Sequence, residues 1–213
     1  MRTTETGERQ CWGCRAEVAT LVCPRCQAIQ PLSGEPDLFA VLGLPRRLMI
    51  DPADLERRYH ETSRVVHPDR FQTASPRERE LSLDASAAVN RAYRTLRDPI
   101  ALGRYWLALH GVSLGERHQG VPPALAAQVF EIQEELEALR AAPNEDADSL
   151  RREVGERRED VAARLARLRA ELVGLYDANG GPVLEDLRQR LAEIAYLRTL
   201  LGDIDETLEK GAQ

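Results

Sequence analysis

Beyond Cys26 this 213-residue chain contains no cysteine. A disulfide-stapled fold would spread its cysteines, so the crowding of Cys11, Cys14, Cys23 and Cys26 points to an intracellular protein with one local cysteine site. Aromatic residues are scarce, at 5%, and no apolar run approaches the roughly 20 residues of a membrane-crossing helix. The opening stretch, MRTTETGERQ, has no apolar core and carries Glu5 and Glu8, which suits neither a secretory signal nor a transit peptide. The expectation is a cytoplasmic protein with no membrane partner. An excess of basic charge is missing too. The net charge of −6 and pI near 5.4 argue against a general nucleic-acid binder. No segment shows the alternation of a strand, and no internal repeat is visible.

What is present favours helices. Leu, Ala, Arg and Glu dominate, and 43% hydrophobic with 30% charged residues describes a folded, soluble chain. The expected fold class is all-α. A cysteine-rich head at residues 10–30 ends in QPLSGEPD, which carries Pro31, Gly34 and Pro36 and reads as a linker. A helical unit with a connector helix follows at 37–110, and three longer helices at 122–210 should form an antiparallel bundle.

Helix starts are clear. Asp51-Pro52 with Asp54, Ser75-Pro76 with Glu78, and Asp98-Pro99 each supply a capping side chain and a proline in the first turn. The helix after Asp51 should bury Leu55, Tyr59, Thr62 and Val66. The helix after Ser75 should bury Leu81, Ala85, Ala88, Ala92 and Leu96. Between them Pro68 pushes His67 out of the helical region, so the first helix ends there and Asp69 falls in an exposed polar turn. A short helix in DLFAVLGL precedes the pair.

With DLFAVLGL, LERRYHETSRVVHPDRF and VNRAYRTLRDP in this order, residues 37–98 resemble a J-domain, the module by which co-chaperones stimulate the ATPase of heat-shock-70 class chaperones. The resemblance implies that His67, Pro68 and Asp69 trigger ATP hydrolysis in the partner, and that Arg57, Arg58 and Arg64 form the basic surface meeting it. No catalytic role is expected in this chain. A short exposed loop offers His67 neither an oriented partner nor a substrate pocket, so the protein should not be an enzyme.

In the tail, Leu125, Val129, Ile132, Leu136 and Leu139 make a core stripe. At roughly 100° per residue, Phe130 lies about 140° and Glu134 about 180° from its centre. Ala127, Glu131 and Ala138 share that outer side, and an aromatic flanked there by small residues and acids suits a docking surface. The long middle helix offers Val154, Val161, Leu165, Leu168, Leu172 and Leu175, ending at Asn179-Gly180. The last helix offers Leu187, Leu191, Ile194 and Leu201, with Leu197 at the edge and Tyr196 about 150° away.

A J-domain joined to such a bundle through RDPIALGRYWLALHG resembles the HscB family, the J-type co-chaperones of iron–sulfur cluster assembly. The resemblance implies a scaffold-binding face at Ala126, Ala127, Phe130, Glu131, Glu134, Ala138 and Tyr196. It also implies two partners, an HscA/DnaK-like chaperone and an IscU-like cluster scaffold protein. Ala126 and Ala127 stand where the family has larger apolar residues, and Ala138 where an acid is common.

The head, CWGCRAEVATLVCPRCQAIQP, holds two C-x2-C pairs, and four thiolates give a closed tetrahedral site suited to structural Zn²⁺. A rubredoxin-like iron site and two redox pairs are the alternatives. The mitochondrial HscB form of animals is similar in this head, with CW-x-C and CP-x-C followed by QP. Two other functions compete: a general J-type co-chaperone for unfolded clients, and a cysteine-based redox protein.

Overall fold

The computed structural model describes residues 9–18, 20–32, 34–114, 123–142, 144–176 and 184–210. These form seven α-helices and one pair of two-residue strands. They divide into two compact units, Met1–Leu102 and Gly103–Gln213, with the division inside the connector helix.

In the first unit β1 (Arg9–Gln10) pairs antiparallel with β2 (Glu17–Val18). The sequence reading finds no strand here because two residues are too few to show alternation. Helix α1 (Leu38–Val41) is capped by Asp37, which accepts from the Phe39 N–H. It ends at Gly43, whose φ of 64° only glycine adopts freely, and the Leu44 N–H turns back to the Phe39 carbonyl. Helix α2 (Pro52–Val66) starts on the Asp51 cap, and α3 (Pro76–Arg97) on a complete Ser75–Glu78 capping box.

Val66 lies by Ser82, and Tyr59 by Asn90 and Tyr93, so α2 and α3 run antiparallel. All five expected positions of α3 are buried, with Ser82 and Val89 added. On α2 only Leu55 and Val66 are fully buried. Tyr59 and Thr62 are half-buried, and Tyr59 stacks on Tyr93 at 4.2 Å while its hydroxyl meets Asn90. A phenol at the rim buries its ring and keeps its polar end satisfied.

Helix α4 (Pro99–Leu109) begins at Asp98, which accepts from the Ala101 N–H. The second unit consists of its C-terminal part with α5 (Pro123–Ala141), α6 (Asn144–Tyr176) and α7 (Leu184–Lys210). Each of α5, α6 and α7 packs on the other two. The five-residue stripe of α5 is buried throughout. In α6 Val154, Val161, Leu168 and Leu172 are buried, while Leu165 and Leu175 are half-buried. Pro122, the expected start of the bundle, and Asn179-Gly180 lie outside the described residues.

Helix α7 departs from its expected stripe. Leu197, Leu200 and Ile204 are buried and Leu201 is only half-buried. The helix faces two neighbours, so its apolar arc is wider than a single stripe and centred elsewhere. Glu193 is 7% exposed and is met by Arg164 from α6 at 2.6 Å, while Arg164 also donates to Gln128 on α5. Arg157–Glu135, Arg158–Asp205 and Arg190–Glu171 tie the same three helices. The cations are guanidiniums: of the 29 Lys and Arg residues only Lys210 is a lysine.

Three helical glycines differ sharply in surroundings. A Cβ on Gly103 would meet the Tyr176 hydroxyl at 2.5 Å and Leu191 Cδ1 at 3.1 Å, whereas at Gly155 and Gly174 it would meet nothing within 4 Å. Gly155→Ala and Gly174→Ala should each add about 1 kcal/mol through helix propensity. Gly103→Ala should be net destabilising, since forced overpacking costs about 1–3 kcal/mol. Urea unfolding of the three variants checks the difference in sign.

Candidate chaperone-facing turn, tail face and metal centre

His67 caps α2 with extended backbone (φ −60°, ψ 131°), as Pro68 requires, and Pro68–Phe71 then form a 3₁₀ turn. The expected polar turn is therefore one ordered 3₁₀ helical turn. The side chains of His67 and Asp69 are exposed, and His67 Nδ1 accepts from the Asp69 N–H at 3.3 Å. Behind the turn the last carbonyls of α2 are held. Ser82 and Ser86 of α3 both donate to the Val66 carbonyl, at 2.7 and 3.0 Å, and Arg70 donates to the Arg64 carbonyl. Helix C-termini leave such carbonyls without partners. Here α3 and the turn's own Arg70 supply the partners and so fix where the turn begins.

The sequence reading misses Ser82 and Ser86. Two serines four residues apart beside the Leu81–Ala85 stripe were the available signal, because i and i+4 share a face.

The three arginines of α2 are not equivalent. Arg57 is exposed and bonds Asp54 and Glu61. Its guanidinium is held above the ordinary arginine range, chiefly by Glu61 and then Asp54. Arg58 is half-buried and engaged by Asp54 and by the Gly43 carbonyl at 2.6 Å, so it braces α2 against the end of α1. Asp54 is accordingly pulled below the usual carboxylate range, first by Arg58 and against a smaller opposing effect of burial. Arg64 is exposed, with no ion pair among the described residues.

On α5, Ala126, Ala127, Phe130, Glu131, Glu134 and Ala138 are all exposed, Phe130 at 65%. Tyr196 is half-buried. It falls one turn from both Glu193 and Leu200, on the flank of the widened buried arc of α7.

The four cysteines converge. Their Sγ atoms lie within 4.8 Å of one another, with Cys11–Cys26 at 3.5 Å and Cys14–Cys23 at 3.7 Å. A tetrahedron with metal–sulfur bonds near 2.3 Å has sulfur–sulfur edges of about 3.8 Å, so the thiolates fit a four-coordinate metal ion. All four are free of disulfides.

The head is built twice. In one half the Cys11 N–H donates to the Ala16 carbonyl and the Arg15 N–H to the Cys11 carbonyl. In the other, the Cys23 N–H donates to Ala28 and the Gln27 N–H to Cys23, with all four bonds at 2.8–3.0 Å. Arg15 and Gln27 both adopt positive φ, 59° and 60°. This is a repeat offset by twelve residues, from Cys11 to Cys23 and from Cys14 to Cys26. The expectation of no internal repeat therefore fails in the head. Only C-x2-C-x-A is common to CWGCRA and CPRCQA, too little to stand out in sequence.

Burial acts to raise the Cys11 thiol. The N–H groups of Cys14 and Gly13, with Cys26 and Gln30, outweigh it and bring the thiol down to about 6. For Cys26 the Ala28 N–H acts to lower the thiol, but desolvation and the three facing sulfurs push it up to about 12.

No family model matches the chain. A co-chaperone protein HscB homolog from Burkholderia multivorans is 38% identical over 132 residues, covering 61% of this chain and 74% of the relative. The crystal structure of human co-chaperone protein HscB is similar with a TM-score of 0.70 and 27% identity, covering 92% of this chain and 97% of that one. The chain belongs to the HscB co-chaperone family. An iron-sulfur cluster co-chaperone HscB homolog from Arabidopsis thaliana is 33% identical over 126 residues, covering 59% of this chain. The chain spans about half the length of that relative, 50%. Among the described residues no helix is long and apolar enough to cross a membrane.

The serine pair yields a test. Ser82→Ala with Ser86→Ala removes both donors to the Val66 carbonyl. The double variant should lose about 1–3 kcal/mol of stability, while Ser86→Ala alone should lose little. Denaturant unfolding of the single and double variants measures both effects.

Proposed function

We propose that this protein is a cytoplasmic co-chaperone of iron–sulfur cluster assembly. Its J-domain stimulates the ATPase of an HscA/DnaK-like, heat-shock-70 class chaperone, and its tail delivers an IscU-like cluster scaffold protein to that chaperone. The observation that carries the reading is the exposed His67-Pro68-Asp69 turn, rigidly seated at the end of α2 in a chain of the HscB family.

The turn performs no catalysis. It offers a compact polar surface whose backbone is already ordered, so docking has little loop entropy left to overcome. Arg64 supplies positive charge one turn before it, and Arg57, ion-paired and about 15 Å back from it along α2, extends the basic surface, while Arg58 acts mainly inside the fold. Hydrolysis takes place in the partner.

The tail offers Phe130 as an aromatic anchor among Ala126, Ala127 and Ala138. Glu131 and Glu134 orient a basic partner, and Tyr196 contributes from the flank of α7. A narrow aromatic patch edged by acids suits one folded scaffold better than a range of unfolded clients.

The head fits a structural Zn²⁺ held by Cys11, Cys14, Cys23 and Cys26. The ion would supply a four-way crosslink to a segment with little core of its own, namely Val18 and the buried cysteines. With four sulfurs as ligands no position is left for water, which favours a structural over a catalytic site.

Two experiments test the reading. His67→Gln should abolish stimulation of the chaperone's ATPase with the helical circular dichroism unchanged, because the side chain is exposed. Full stimulation by the variant defeats the assignment. Phe130→Ala with Tyr196→Ala should weaken scaffold binding by at least 30-fold, since an anchoring aromatic is worth roughly 2 kcal/mol or more, while stimulation through the turn persists. Titration calorimetry with the scaffold that leaves affinity unchanged would remove these residues from the docking face.

A further inference from the structure

The two halves of the head differ at a position that is buried in both. Val18 ends the first, and its counterpart at the offset of twelve is Gln30, which is 2% exposed. A buried amide needs partners for each of its polar hydrogens and its oxygen. Gln30 finds all of them. Its oxygen accepts from the Trp12 N–H at 3.4 Å, and its nitrogen donates to the Ala28 carbonyl at 2.7 Å and to Cys11 Sγ at 3.3 Å. The partners fix which way the amide points, because a backbone N–H can only donate and a backbone carbonyl can only accept. Cys11 therefore faces the amino group. Val18 offers no such donor to Cys23.

We propose that Gln30 is a positioning residue of the metal centre: its amide holds the Cys11 sulfur in place and offsets part of the charge that four thiolates bring into a buried site. The inference rests on the reading of the head as a metal site. Four thiolates around a divalent ion leave two negative charges to be stabilised by donors in the surroundings. The Gly13 N–H, 3.4 Å from Cys11 Sγ, is a backbone donor. The Gln30 side chain is the donor peculiar to this half. It also ties the site to its rim. The Trp12 indole donates to the Ile29 carbonyl at 2.7 Å, and Arg77 at the start of α3 lies 5.6 Å from the indole ring. Cys11, Gln30, Trp12 and Arg77 form one connected path from the sulfur cluster to α3.

The test uses the full chain loaded with Zn²⁺, in competition with a coloured chelator, and the same chain loaded with Co²⁺ to read the thiolate-to-cobalt charge-transfer band. Gln30→Val copies the first half of the head. Gln30→Glu keeps the oxygen facing Trp12 and exchanges the amino donor for an acceptor, which guards against a loss caused by packing alone. Both variants should bind Zn²⁺ about 10- to 100-fold more weakly than the parent. Their charge-transfer bands should move to longer wavelength, because a thiolate that loses a hydrogen bond gives up its electrons more easily. Weaker binding with an unmoved band would make Gln30 a packing residue and overturn the proposal, as would parental affinity in both variants. A parent chain that binds neither ion would instead overturn the metal reading of the head.

Discussion

Pro68 denies His67 the helical conformation, and the arrangement of the first unit depends on that refusal. Without it α2 would continue past Val66, and the nine residues between the two helices could not fold as a turn. With it, the carbonyls at the end of α2 lose their successors and must be met from elsewhere. Ser82, Ser86 and Arg70 meet them. The turn is consequently both exposed and ordered, a combination that loops rarely achieve, since exposure usually removes the contacts that order a backbone.

Much of the hairpin could be read from the chain alone because its signals are local. Caps at Asp51 and Ser75, prolines in first turns, and the spacing of Leu81, Ala85, Ala88, Ala92 and Leu96 all concern residues within one helix. The stripe of α5 was legible for the same reason, and Phe130 falls outside it in both sequence and structure. What escaped the sequence was set by neighbours. Helix α7 buries Leu197, Leu200 and Ile204 because two helices face it, and no single-stripe arithmetic contains that fact. Ser82, Glu193 and Gln30 are polar residues whose burial is made tolerable by groups 16, 29 and 19 residues away in sequence. The head was legible as a cysteine cluster through its C-x2-C pairs. Its twofold construction was not, since backbone hydrogen bonds and the left-handed residues Arg15 and Gln27 leave almost no mark on residue type.

The two units are stabilised by different means. The hairpin relies on small apolar residues, with alanines on α3 that let α1 and α2 approach closely. The bundle has longer helices and a mixed interior in which Glu193 is accepted because Arg164 and Gln128 complete its surroundings. Removing Arg164 would strand the buried Glu193 carboxylate, whereas exchanging the whole set for apolar residues can be neutral. Those groups therefore argue for a defined helix register more than for raw stability.

The near-absence of lysine has a consequence for regulation. Among the described residues the four ion pairs between helices of the bundle use guanidiniums, which keep their charge far above the range where an ammonium loses it. Acylating agents and enzymes that act on side-chain amines find one target, Lys210, exposed in the last turn of α7 and paired with Glu206 of the same helix. Acetylation can silence that lysine and leave every bond between the helices intact. The bundle is chemically closed to the commonest way by which cells neutralise a positive surface, and an amine-reactive cross-linker attached through a side chain would report from a single point, the C-terminal end of α7.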